Sequence, residues 1–156
     1  MILSVTGHRP DKLGGYSTEA YRKLLAVATD QLSKIRPEKV LTGMALGWDT
    51  AIAEACFSLE IPFTACIPFR GQEKLWPQQS QDKYANLVSN AAEVVIVSSG
   101  GYSASKMNKR NRYMVDNSDK VLALWDGSQG GTGNCVAYAT MKNKTIINCY
   151  GDFENA

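Results

Sequence analysis

Six apolar runs of strand length are spaced along the chain with a helical pattern between most of them, and this alternation is what most restricts its fold. The runs are Ile2 to Val5, Lys39 to Leu41, Phe63 to Ile67, Val94 to Val97, Val121 to Trp125 and Thr145 to Cys149. Most are continuously apolar, as strands covered on both faces should be. Tyr21, Leu24, Leu25, Ala28, Leu32 and Ile35 form one apolar helical face, with Ser17 placed to cap its start and Pro37 to stop it. Ile52, Ala55, Cys56 and Leu59 form a second; Tyr84, Leu87 and Val88 a third; Val136, Ala139 and Thr140 a weaker fourth. Alternating strands and helices predict an α/β fold, a doubly wound, mainly parallel sheet of about six strands. At 156 residues, without repeat or linker, residues 1–156 read as a single domain.

No segment reaches the roughly 18 consecutive apolar residues of a membrane span. Met1 leads directly into "ILSVTG" without a basic region or cleavage site, which predicts a cytoplasmic protein. Cys56, Cys66, Cys135 and Cys149 include no CxxC pair and sit in apolar runs, so they read as core thiols. A net charge of +2 does not argue for a nucleic-acid partner.

In parallel sheets ligands bind beyond the carboxyl ends of the strands. Three of those turns carry glycine followed by polar residues: "TGHRP" from Thr6, "TGMALGWD" from Thr42 and "WDGSQGGTGN" from Trp125. Glycine lets a ligand approach the backbone, and the free N–H groups of a helix start favour an anion, phosphate above all. Gly7, Gly43, Gly47, Gly130 and Gly131 are therefore expected to line one pocket. Asp49 is placed to accept hydrogen bonds from ribose hydroxyls, or to act only as a helix-terminal charge. His8, the single histidine, stands at a strand end beside Arg9; no second histidine or carboxylate cluster accompanies it, so no metal is expected. The stretch from Phe69 to Gln81 reads as a long loop and helix entry that could serve as a lid. In the cationic segment "MNKRNRYMVDNSD" from Met107, Arg110 with Asn111 is the pair suited to a directed phosphate or carboxylate contact.

The combination of "GHRP", "TGMALGWDTAIAEA", "RNRYMVDNSDKVLALWDGSQGGT" and "VAYA" resembles the SLOG superfamily, in particular its YpsA-like bacterial and phage branch. The resemblance implies a Rossmann-like fold and a site for nucleotides or nucleotide-derived ligands, with no separate cofactor. It also implies a homo-oligomer, for which the helix from Lys109 to Ser118 carries apolar residues. The related LOG-type phosphoribohydrolases cleave base from ribose in nucleoside monophosphates. Against their pattern Arg110, Met114, Ser118, Asp119, Gly131 and Thr132 match, while the catalytic glutamate falls at Asn134 or Cys135. Neither is an acid, so hydrolysis would need another carboxylate, Asp49 or Asp116, to work with Arg110. The expected function is nucleotide binding at the glycine turns, through Gly7, His8, Arg9, Gly43, Gly47, Asp49, Arg110, Asn111, Gly130, Gly131, Thr132 and Asn134. The alternatives are an N-glycoside hydrolase or transferase and, third, nucleic-acid binding of the DprA kind.

Overall fold

A computed structural model describes residues 1–156. The elements run β1 (Ile2–Gly7), a short 3-10 turn (Pro10–Lys12), α1 (Thr18–Ile35), β2 (Lys39–Thr42), α2 (Trp48–Leu59), β3 (Phe63–Ile67) and α3 (Gln78–Ser89). They continue with β4 (Glu93–Ile96), α4 (Ala104–Asp116), β5 (Lys120–Leu124), α5 (Gly131–Met141), β6 (Thr145–Asn148) and α6 (Tyr150–Glu154). All six strands are parallel, in the order β4-β3-β2-β1-β5-β6. The chain winds outward from β1 to β4 and then returns to place β5 on the other side of β1. That reversal makes the β1/β5 junction the switch point, where such sheets open a crevice.

The side-chain alternation of each strand feeds two cores. Leu3, Val5, Val40, Phe63, Ala65, Leu122 and Leu124 point into the larger one, with α1, α2, α3 and α6. Leu41, Cys66 and Val121 point the other way, against Met114 and Val115 of α4 and Cys135 and Ala139 of α5. This second face also holds a buried polar pair, in which the Ser118 hydroxyl donates to Ser4 Oγ at 2.9 Å. β4 and β6 are edge strands and stay partly exposed, which departs from the expectation of strands covered on both faces. The four cysteines are buried and free, and no helix is long and apolar enough to cross a membrane.

Ser17 caps α1 as expected, its hydroxyl accepting from Ala20 N. α4 starts earlier than its apolar pattern suggests, because the Ser103 hydroxyl accepts from Lys106 N and opens the helix there. Met114 and Val115 are almost fully buried in the chain's own core. The apolar residues of α4 expected to remain for a subunit contact are thus already covered.

Candidate functional site

The three glycine turns all lie at the carboxyl edge of the sheet, because every strand is parallel. At the switch point they surround a polar cleft of about 270 Å³. Its walls include Gly7, His8, Arg9, Asp49, Arg110, Asn111, Gly130, Gly131 and Thr132. Gly43 and Asn134 are not among the lining residues, and Gly47 faces a neighbouring cavity.

The glycines divide into two kinds. A Cβ at Gly7 would lie 2.4 Å from the fully buried Trp48 ring, and one at Gly43 would lie 2.5 Å from Arg110 Nη1 and 2.9 Å from Asp49 Oδ2. A Cβ at Gly47 would lie 2.6 Å from the His8 carbonyl oxygen, and the residue also has a φ of 94°. These three are glycine because the chain packs against itself there, which corrects the expectation that Gly43 and Gly47 open the backbone to a ligand. At Gly130 and Gly131 a Cβ would meet nothing within 4 Å. Gly130, with φ 145°, holds a conformation few other residues adopt. It has no side chain to cap α5, whereas Ser17 and Ser103 cap α1 and α4. The first N–H groups of α5 therefore have no side-chain acceptor.

Arg110 enters from α4 and is 4 % exposed. Its Nη1 donates to the Gly43 carbonyl at 2.6 Å and to the Cys66 carbonyl at 3.3 Å, and its Nε donates to Asn111 Oδ1 at 2.9 Å. It is thus a buried strut between α4, β3 and the β2–α2 turn as well as a wall of the cleft. Burial pulls its guanidinium below the ordinary value, and the Asp49 charge opposes that shift.

Asp49 lies in the first turn of α2 and is 7 % exposed. One oxygen, Oδ2, accepts from Ala45 N at 3.3 Å; the other, Oδ1, is buried without a partner. Burial raises the carboxyl to about 6, against the opposing pull of Arg110, the Ala45 N–H and Arg9. The neighbouring Trp48 Nε1 is also unpartnered, but its ring lies in the larger core and does not line the cleft, so Asp49 Oδ1 is the orphaned atom that belongs to a cleft residue. Buried polar groups are normally paired, and an unpaired carboxylate oxygen on a residue of the cleft wall marks a candidate site.

His8 is buried and stitches turns together. Its N–H donates to the Leu124 carbonyl, its carbonyl accepts from Trp48 N, and Nε2 lies 3.0 Å from Asp126 N and 2.9 Å from Asp126 Oδ1. A neutral ring accepts from the N–H and a protonated ring donates to the carboxylate, so either form joins β1 to the turn after β5. Hydrogen bonds from Ser128, with His8 assisting, hold the Asp126 carboxyl down at about 2. Lys12 and Ser128, which sequence reasoning did not single out, also line the cleft and join at 2.8 Å. The prior signals were a lysine two residues after "GHRP" and the serine inside "WDGSQGGTGN".

Asp116 is placed elsewhere. It lies six residues beyond Arg110 on α4, about 9 Å along the axis at the usual rise. There it is exposed and accepts from the Tyr138 hydroxyl at 2.8 Å. The structure does not bring it to the cleft with Arg110 and Asp49. Asn134 is exposed one turn into α5, its N–H donating to the Gly130 carbonyl, and Cys135 is buried against α4. A glutamate at position 134 would therefore stand outside the cleft.

Among solved structures the chain resembles DNA processing protein A from Streptococcus pneumoniae, with TM-score 0.64 and 17% identity over 92% of this chain and 48% of that one. It also resembles the molybdenum cofactor binding protein of Rippkaea orientalis, with TM-score 0.60 and 18% identity over 94% of this chain and 74% of that one. At such identities the likeness is one of fold, and the chain spans about half of the DprA chain. The SPbeta prophage-derived protein YoqJ of Bacillus subtilis is 35% identical over 136 residues, 75% of this chain and 78% of that protein. A UPF0398 protein of Bacillus cereus strain B4264 is 24% identical over 97% of this chain and 89% of its own length. The YpsA model, described as the YspA SLOG family, matches residues 3–150, and the chain belongs to that family.

Proposed function

We propose that the chain binds a nucleotide or nucleotide-derived anion in the cleft between the β1 and β5 turns. The observation that carries this reading is the uncapped start of α5, open at Gly130 and Gly131, facing the buried Arg110. A helix start and a guanidinium both favour phosphate. Arg9 and Lys12 add positive charge at the same walls, and Asp49 Oδ1 supplies an unused acceptor for a sugar hydroxyl.

Gly131→Asp tests the reading without disturbing the core. A side chain at 131 meets nothing, and an acid in the first turn of a helix is favourable for folding. The variant should unfold like the wild type yet bind the four common nucleoside 5′-monophosphates at least tenfold more weakly in calorimetric titration. Equal affinity in the two proteins, or no binding by the wild type together with no nucleotide in native mass spectra of the purified protein, would overturn it.

One observation favours catalysis as a second reading: a buried carboxyl near 6 in a cleft has the poise of a general base. It would take a proton from water as the water oxygen bonds to the sugar carbon and the N-glycosidic bond breaks, and that proton would pass on to the departing base of the nucleoside monophosphate. Free base produced by the wild type and lost in Asp49→Asn would support this reading. No free base from any of the four substrates would leave binding alone.

A further inference from the structure

A groove of about 960 Å³ adjoins the polar cleft across Arg9, Ala45 and Met107. Its chemistry is different. Phe69, Leu75, Trp76 and Pro77 come from the loop before α3, and Tyr102 and Tyr16 from the turns before α4 and α1. Tyr102 is 74 % exposed and Tyr16 65 %. The Tyr102 ring is held edge-on by Phe69, with centroids 6.1 Å apart, and Trp76 is held by Tyr84 at 5.4 Å. Every charged residue in the groove lining is a cation: Arg9, Arg70 and Lys74.

Size, aromaticity and charge select one kind of occupant. The cleft, about 270 Å³, falls just below the roughly 300–1,000 Å³ usual for small-molecule pockets, so a whole nucleotide needs more room than it offers. The adjoining groove supplies that room. Exposed tyrosine rings are stacking platforms for flat bases, arginine adds cation–π attraction, and a purely positive rim suits a molecule carrying phosphate. We propose that the groove is the base-binding subsite: the phosphate end of the ligand lies in the cleft at Gly130 and Gly131 and its aromatic base lies in the groove. This inference rests on the anion-binding reading of the cleft.

The two can fail separately. Wild type, Tyr16→Ala/Tyr102→Ala and Tyr16→Phe/Tyr102→Phe are titrated with ribose 5-phosphate and with the four common nucleoside 5′-monophosphates. Both tyrosines are largely exposed, so the variants should fold normally. At least one nucleotide should bind the wild type about tenfold or more tightly than ribose 5-phosphate, the contribution of a stacked base. The double alanine variant should erase that advantage while leaving ribose 5-phosphate binding unchanged, and the double phenylalanine variant should retain it. If ribose 5-phosphate binds as well as every nucleotide, or the alanine variant keeps the advantage, the groove is not a base subsite although the cleft reading survives. If no probe binds and native mass spectra of the purified protein hold no nucleotide, the cleft reading falls and this inference with it.

Discussion

Arg110→Ala is expected to lower the stability of the fold by about 3 kcal/mol, as loss of a buried charge with its hydrogen bonds usually does. The side chain donates to the carbonyls of Gly43 and Cys66 from a position that is 4 % exposed. Its removal also takes away the charge that holds the Asp49 carboxyl down. The urea midpoint should fall with little change in slope, since the surface exposed on unfolding hardly alters. Arg110→Lys should recover only part of the loss, because an ammonium lacks the planar fork that reaches Gly43, Cys66 and Asn111 together. An unchanged midpoint in Arg110→Ala would show that the strut contributes nothing to stability. Any fall in nucleotide affinity in this variant has to be compared with its folded fraction, and for that reason Gly131→Asp is the cleaner probe of binding.

Asp49→Asn should change how stability depends on pH. Burial raises the folded carboxyl from 3.8 to about 6, so in that window the folded chain holds a proton that the unfolded chain has released. The stabilisation is fully present below the unfolded value and is lost as pH rises through the folded one. Two units correspond to about 3 kcal/mol. The unfolding free energy of the wild type minus that of Asp49→Asn should therefore fall by about 2 to 3 kcal/mol between about pH 4 and pH 7. A flat difference would mean that Asp49 ionises in the fold as it does in water. Near neutral pH the wild type retains a charge that works against its own folding, a cost associated with functional sites.

The layered architecture was legible because it is written locally. Apolar runs alternating with helical faces imply parallel strands, and parallel strands put all the turns after them on one edge. The cap at Ser17 was legible for the same reason. Contacts between distant residues were not. Gly43 looks like a ligand turn until Arg110, 67 positions later, is seen lying over it, and Gly47 does so until the His8 carbonyl is seen against it. Gly130 and Gly131 look the same in sequence, but a side chain there would meet nothing within 4 Å. Asp49 and Asp116 were equal candidates as bare carboxylates, and only the direction of α4 separates them. The edge exposure of β4 and β6 depends on strand order, which no local pattern encodes.

The pairing of β1 with β5 has a consequence for the order in which the molecule assembles. Leu3 pairs with Lys120, and Ile2 N donates to Asp119 Oδ2 across a sequence separation of 117. Closing so long a loop is slow, so this seam should form after the run from β1 to β4 has collapsed. The cleft does not exist until it closes, since one wall comes from each side and His8, Lys12, Asp126 and Ser128 join them. A ligand in the cleft would then act as a clasp on the last-formed seam, slowing its opening and raising the unfolding temperature with ligand concentration. An early folding intermediate lacking β5 would have nowhere to hold that ligand, so binding should slow unfolding more than it speeds refolding.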